Sequence, residues 1–253
     1  MSGTAPRTER RPDFLRPRHF GSLKLPTAKG LEPTRLGAMV SRCSKPGLLG
    51  GSEGKVVAAR VTDKADLRVR LLPLEESDFS GILEAISSRE DLVQWSGPSC
   101  FTFPLDHSQL AAYLEKSCRP GSTCRAFRAV DGIGRCFGMI EIGLMDRDNQ
   151  SASLCRILIH PHERKRGLCL PMIREALRLS FEDLGMRRID LRVYSFNSAA
   201  VRCYERAGLV VEGILRKGQM VGDCVWDTVL MGILREEWEE GRQPSPRSGS
   251  ESP

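Results

Sequence analysis

The segment from residue 151 to residue 185 constrains the fold most, because a strand, a loop and a helix follow one another in it. SASLCRILIH at 151–160 is almost continuously apolar, which is typical of a strand buried on both faces. LPMIREALRLSFEDLG at 170–185 repeats apolar residues at helical spacing. Pro171 places the helix start close to Gly167, since proline is tolerated only in the first turn of a helix. This strand–loop–helix unit predicts an α/β fold.

The rest of the chain predicts strands and helices in the order β, α, α, β, β, β, α, β, α, β, β, without an internal repeat. Residues 66–74 alternate like a half-buried strand, and the turn at 132–134 closes a hairpin. Asp106 is an N-cap candidate and Gly208 a C-cap candidate. We therefore expect a central mixed sheet of about six or seven strands with helices on both faces. The predicted helices cover 77–88, 106–117, 170–185 and 197–208.

The N-terminal arm carries the excess positive charge. Residues 1–60 contain 12 Lys or Arg and 4 Asp or Glu, whereas residues 61–253 contain 26 and 28. Frequent proline and glycine without periodicity predict disorder. We expect a disordered arm at 1–64, one folded domain at 65–240 and a disordered tail at 241–253. Because the charge lies outside the domain, nucleic acid is not an expected partner of the domain, although weak contact by the arm stays open.

Nine cysteines are scattered without C-x-x-C spacing or a histidine at metal-ligand spacing. This pattern argues against zinc and a disulfide framework, and it favours a reducing compartment. The longest apolar run, near 229–234, is far shorter than the ~18 residues that span a bilayer. We expect a cytoplasmic protein with no metal and no membrane partner, and the sequence does not indicate its oligomeric state.

The loop HPHERKRGLCLP at 160–171 has two interpretations. It is either a solvated basic turn or an anion site at a helix N-terminus, where unpaired amides and the helix dipole attract negative charge. Arg164, Lys165 and Arg166 would strengthen this potential, and Gly167 would let a bulky anion reach the backbone.

A second pattern downstream favours the anion site. In NSAAVRCYERAGL, the residues Asn197, Ala200, Val201 and Tyr204 share one helix face at spacing i, i+3, i+4, i+7. An amide and a phenol therefore line one stripe, two turns apart.

These two segments carry a family resemblance. RKRGLC at 164–169 resembles the R/Q-x-x-G-x-G/A signature of the GNAT superfamily of acyl-CoA N-acyltransferases, and NSAAVRCYERAGL resembles its second cofactor motif, N-x-x-A-x-x-x-Y-x-x-x-G-F. The resemblance covers about residues 66–238, and the ending resembles the subgroup that includes ribosomal-protein N-terminal acetyltransferases. Cys169 stands where the signature has Gly or Ala, which would weaken cofactor binding if that position needed a positive φ.

The resemblance implies an enzyme that uses acetyl-CoA and an amine acceptor, either a protein N-terminus or a small amine. The pyrophosphate would lie on the amides of residues 164–169, including Leu168, and the pantetheine along the strand at 154–160. A backbone N–H near Leu158 or Ile159 would bind the oxyanion. Asn197 would bond the pantetheine or cap its helix.

Three side chains are candidates for proton transfer in the reaction that the resemblance implies. Tyr204 is the candidate general acid, because a phenol with a pKa of ~10 is protonated at neutral pH and can donate to the departing thiolate. Glu141 is the first candidate base and His160 the second. Glu141 could instead be a paired sheet carboxylate, and His160 could simply end its strand.

Two questions stay open at this stage. Trp95 and residues 101–103 either line the acceptor site or form an apolar lid over the core. The alternative to an enzyme is a catalytically silent acyl-CoA sensor with the same fold, which the unusual Cys169 and the uncertain base motivate.

Overall fold

The computed structural model describes residues 68–241. The arm expected at 1–64, and all but the first residue of the tail expected at 241–253, lie outside the described residues. No helix within residues 68–241 is long and apolar enough to cross a membrane.

Seven strands and six α-helices form the described domain. The strands are β1 (Arg70–Pro73), β2 (Arg125–Val130), β3 (Cys136–Asp146), β4 (Ser151–Ile159), β5 (Arg188–Tyr194), β6 (Val210–Val221) and β7 (Cys224–Leu234). The helices are α1 (Phe79–Ala85), α2 (Arg89–Ser96), α3 (His107–Cys118), α4 (Cys169–Arg178), α5 (Ser198–Ala207) and α6 (Arg235–Glu240).

The strands form one mixed sheet in the order β1-β2-β3-β4-β5-β7-β6. β4 and β5 are parallel and pair only from Ser151 with Arg188 to Leu154 with Leu191, and every other neighbouring pair is antiparallel. Beyond Leu154 the two strands separate, while β4 still pairs with β3 and β5 with β7. A split therefore opens in the middle of the sheet.

Each face of the sheet has its own buried cluster. α4 and α5 pack on the face that carries Ile140, Ile189 and Leu191. α1, α2 and α3 pack on the opposite face, against Met139 and Leu158. The predicted mixed sheet with helices on both faces is therefore confirmed. We call these the α4 face and the α3 face.

Several local signals act as the sequence predicts. The Asp106 side chain accepts from the Gln109 amide at 2.9 Å and caps α3. Gly208 ends α5 with φ +107°, a left-handed value that suits glycine. Pro171 is the third residue of α4, inside its first turn. Gly134, at φ +86°, completes the turn between β2 and β3.

Three predictions of secondary structure need correction. The strand predicted at 66–74 covers only Arg70–Pro73. The single helix predicted at 77–88 ends at Ala85, and α2 follows it because the Ser88 side chain accepts from the Asp91 amide and starts a new helix. A last helix, α6, had not been predicted, and its N-terminal Leu234 amide donates to Glu237.

Candidate active site

The loop between β4 and α4 presents unpaired amides at the mouth of the helix. Within the described residues, the backbone amides of 165–170 donate to no protein group, and the first bond into α4 runs from Met172 to Leu168. Lys165 and Gly167 have φ values of +63° and +77°, so the chain turns sharply there. Free amides at a helix N-terminus form an anion-binding cradle, which we call the amide cradle.

Two of the three basic side chains of the cradle are engaged with other groups of the protein. The Arg166 guanidinium pairs with Glu163, and Arg164 Nε donates to the Ile159 carbonyl at 3.3 Å. A Cβ added to Gly167 would meet nothing within 4 Å, so the space beside it is open to a ligand.

Cys169 fits the loop without a positive φ. It is the first residue of α4, and its φ is outside the left-handed region. The reason to expect weak cofactor binding at this position is therefore removed. The thiol of Cys203 on α5 is its neighbour, and the interaction with Cys169 lowers the pKa of Cys203.

β4 carries a bulge where it leaves β5. Met139 pairs with Leu158 but Glu141 pairs with Cys155, so residues 156 and 157 oppose the single residue Ile140. Arg156 has φ +47°, a strained value for a side chain that is not glycine. Leu158 and Ile159 follow the bulge on the part of β4 that has no β5 partner.

Tyr204 and Asn197 lie at the two ends of α5. Tyr204 is 5% exposed, and burial raises the pKa of its phenol, so it stays protonated. No hydrogen bond to its hydroxyl occurs within residues 68–241. The side-chain oxygen Oδ1 of Asn197 accepts from the Ala200 amide at 3.3 Å, so this side chain caps α5.

Glu141 belongs to a buried ionic network on the α3 face. One carboxylate oxygen pairs with Arg156 Nη1 at 2.5 Å and the other accepts from the Tyr113 hydroxyl. The Arg156 guanidinium also lies 5.1 Å from the Tyr113 ring centroid, and its Nη2 lies 2.8 Å from the Cys100 sulfur. Sequence reasoning missed Tyr113, Cys100 and Arg156, because strand alternation does not reveal a partner on another element.

His160 lies directly after β4, and its ring packs on Gly81 of α1. Burial lowers the pKa of this imidazole, although the charges of Asp78, Glu163 and Glu84 act in the opposite direction. The ring is therefore neutral at neutral pH.

The aromatic residues before α3 are mainly packing residues. Trp95 and Phe101 are buried and stacked, with ring centroids 5.4 Å apart, whereas Phe103 is 46% exposed. The Trp95 indole also donates to the Arg156 carbonyl at 3.1 Å and so supports the bulge. Within the same described range, no three His, Cys, Asp or Glu side chains are grouped to hold a metal ion.

Comparisons with known proteins agree with this geometry. The family model for the acetyltransferase (GNAT) domain matches residues 68–210. A prophage SPbeta-derived N-acetyltransferase of Bacillus subtilis is 34% identical over 113 residues, which are 45% of this chain and 63% of that protein. A spermidine N(1)-acetyltransferase of Vibrio cholerae is 30% identical over 114 residues, 45% of this chain and 65% of that protein. The chain thus spans less than two thirds of the length of these curated relatives.

A solved structure extends the likeness over the described domain. The spermidine N-acetyltransferase of Vibrio cholerae in complex with CoA and spermine is similar with a TM-score of 0.60 at 25% identity, over 68% of this chain and 98% of that one. The range that the family model matches, residues 68–210, includes β4, the amide cradle, α4 and α5. The chain belongs to the GNAT acetyltransferase family.

Proposed function

We propose that this protein is an acetyl-CoA-dependent N-acetyltransferase that acts on a primary amine. The observation that carries the proposal is the amide cradle at residues 165–170, which lies where β4 separates from β5. The cradle fits a pyrophosphate, since several N–H groups and the positive end of α4 converge on one open space. The split beside it leaves a strand edge to which the pantetheine amides can bind.

In this mechanism the amine nitrogen attacks the thioester carbonyl carbon, so a C–N bond forms and the C–S bond breaks. A backbone N–H of Leu158 or Ile159 stabilises the oxyanion, because both follow the bulge on the part of β4 that pairs with β3 but has no β5 partner. Tyr204 donates its proton to the CoA thiolate, which matches a buried, protonated phenol with a free hydroxyl.

Of the two candidate bases, the surroundings favour His160. A proton on Glu141 would disrupt a buried ion pair with Arg156, and both carboxylate oxygens already have partners. The neutral His160 ring can accept a proton without losing such a pair. Glu141 then has a positioning role, because it holds the Arg156 side chain at the bulge.

The class of acceptor and the cellular compartment are also proposals. The relatives include a spermidine acetyltransferase and a putative ribosomal N-acetyltransferase of Bacillus subtilis, and both names are compatible with an amine acceptor. Eight free cysteines in the described domain favour a reducing compartment such as the cytoplasm. The silent sensor gains no support, since Cys169 fits the cradle.

The test measures CoA thiol release from acetyl-CoA with a panel of primary amines and peptides. We expect release that depends on the acceptor, with one acetyl group gained by the acceptor in the mass spectrum. Binding of acetyl-CoA without acetylation of any acceptor would contradict the enzyme and favour the sensor.

A further inference from the structure

Three aromatic side chains, one exposed and two half-buried, form a group at the C-terminal end of β5. The Tyr194 and Phe196 rings are stacked with centroids 5.8 Å apart, and Trp226 meets them edge-on at 4.8 and 5.0 Å. Phe196 is 52% exposed. We call Tyr194, Phe196 and Trp226 the aromatic trio. A partly exposed apolar cluster of this kind is typical of a binding surface.

The aromatic trio lies level with the reaction centre. Leu154 and Leu191 are the last paired residues of β4 and β5. Tyr194 lies three residues beyond Leu191 on β5. On β4, the bulge ends three residues beyond Leu154, and Leu158 is the next residue. At about 3.3 Å per residue, both positions lie roughly 10 Å beyond the start of the split.

The trio also lies on the face opposite the cofactor helices. Residues alternate along β5, and Leu191 and Val193 belong to the cluster of the α4 face. Asp190 and Tyr194 therefore belong to the α3 face, and the bond from Ser153 to Asp190 agrees with this assignment. α4 and α5 occupy the cofactor side, and α1, α2 and α3 cover the α3 face over β2, β3 and β4. An acceptor can therefore approach the split along the β5 and β7 part of the α3 face, where the trio lies.

The charges near the trio disfavour a polycation. Arg192 lies between Asp190 and Tyr194 on the same face, is exposed, and has no ion-pair or hydrogen-bond partner within residues 68–241. The carboxylate of Glu141 pairs with Arg156, and that of Asp190 accepts from Ser153 and lies 3.9 Å from Nε of Arg188. The second ammonium group of a polyamine would therefore meet the free guanidinium of Arg192, and the carboxylates of Glu141 and Asp190 already have partners.

We propose that the aromatic trio binds the apolar or aromatic part of a primary amine that carries a single positive charge, and that Arg192 excludes polyamines. This inference rests on the proposed N-acetyltransferase function and names its acceptor class. The acceptor is either an arylalkylamine or a peptide whose N-terminal side chain is apolar, because both present the same chemistry to the rings.

The experiment compares kcat/KM for 2-phenylethylamine, a peptide that begins with Phe, and spermidine. In the wild type we expect spermidine to be at least tenfold poorer than the better of the other two. Trp226→Ala and Phe196→Ala should each raise KM for that acceptor about tenfold with kcat nearly unchanged, since they remove ring contacts. Ile133→Ala, at the exposed β2–β3 turn, is the control and should change neither value.

Arg192→Glu tests the exclusion of polyamines. We expect it to improve kcat/KM for spermidine about tenfold, because a repulsive charge becomes an attractive one. Arg147→Glu makes the same charge change in the exposed turn between β3 and β4 and should have no such effect. Phe196 is exposed, so its variant keeps the test valid if Trp226→Ala does not fold.

The outcomes separate this inference from the proposed function. A wild type that prefers spermidine, or trio variants with unchanged KM, would overturn the acceptor assignment while acetyl transfer stands. No turnover with any of the three amines, while another amine of the wider panel is acetylated, would overturn the acceptor assignment alone. No turnover with any member of that panel, with acetyl-CoA bound, would contradict the proposed function.

Discussion

The two sides of the split between β4 and β5 are built in different ways. The cofactor side uses backbone amides in one continuous segment, residues 165–170, followed directly by α4. The proposed acceptor side uses side chains from α3, β3, β4, β5, the β5–α5 loop and β7, with Glu141, Arg156 and the aromatic trio as its main members. The cofactor can thus be bound by local backbone geometry, whereas the proposed acceptor choice depends on side chains that come from separate elements of the fold.

The largest expected effect concerns Tyr204, the proposed general acid on the cofactor side. Tyr204→Phe removes the proposed acid and should lower kcat by about 10²–10⁴-fold, the usual range for a general acid. The affinity for acetyl-CoA should stay within a factor of about three, since the ring remains in the core. Steady-state kinetics and calorimetry check both values, and a kcat within threefold of wild type would remove Tyr204 from the mechanism.

Arg156→Met tests whether the acceptor side depends on its ionic network. It leaves the buried Glu141 without its cation and should lower the free energy of unfolding by about 3–5 kcal/mol. Urea denaturation measures the loss. Arg178→Met, which removes partly exposed pairs with Glu175 and Asp183, should cost only about 0–1 kcal/mol.

A second variant sharpens this test. Glu141→Leu combined with Arg156→Met removes both charges, so it should be less destabilising than Arg156→Met alone. Equal losses for the single and the double variant would mean that packing, and not the unpaired charge, accounts for the effect.

Gly167→Val tests the cofactor side in the same way. Valine at φ +77° is strained and places a Cβ in the open space of the cradle, so acetyl-CoA affinity should fall about 10- to 100-fold. Gly134→Val introduces the same strain at φ +86° in the β2–β3 turn and should leave the affinity unchanged. Calorimetric titration measures the acetyl-CoA affinity of both variants. Equal losses of affinity would contradict a specific role for the loop at Gly167.

The smallest expected effect is the pH dependence of stability at His160. Burial lowers its pKa in the folded state, so the unfolded chain binds more protons in the window below the ordinary value of 6.5. Stability should therefore fall as the pH falls through this window, by at most about 1.4 kcal/mol per pH unit. Urea denaturation between pH 5 and 7 measures the slope, and His160→Gln should reduce it. An unchanged slope would show that other groups cause it.

The cofactor side could be predicted from the sequence because its signals are local. Pro171 indicated the start of α4, Gly208 the end of α5, and residues 164–169 the cradle, each from its near neighbours in the chain. The break before α2 also had a local signal, since Ser88 is followed three residues later by Asp91, as in an N-cap box.

The acceptor side could not be predicted in this way. The partners of Glu141 lie 28 residues before it on α3 and 15 residues after it on β4. The bulge at Arg156 and the packing of Trp226 on Tyr194 also depend on strand register, which is set by pairing across the whole sheet. A single sequence reveals neither register nor contacts of this range.

Binding of acetyl-CoA tests the central claim most directly, because the proposed N-acetyltransferase function is based on the amide cradle. A thermal-shift titration of the full chain should raise the melting temperature by roughly 5 to 10 °C at 100 times the dissociation constant, since such binding stabilises by about 2.7 kcal/mol. Gly167→Val should need a higher concentration for the same shift. A melting temperature that stays constant up to millimolar acetyl-CoA would contradict the account.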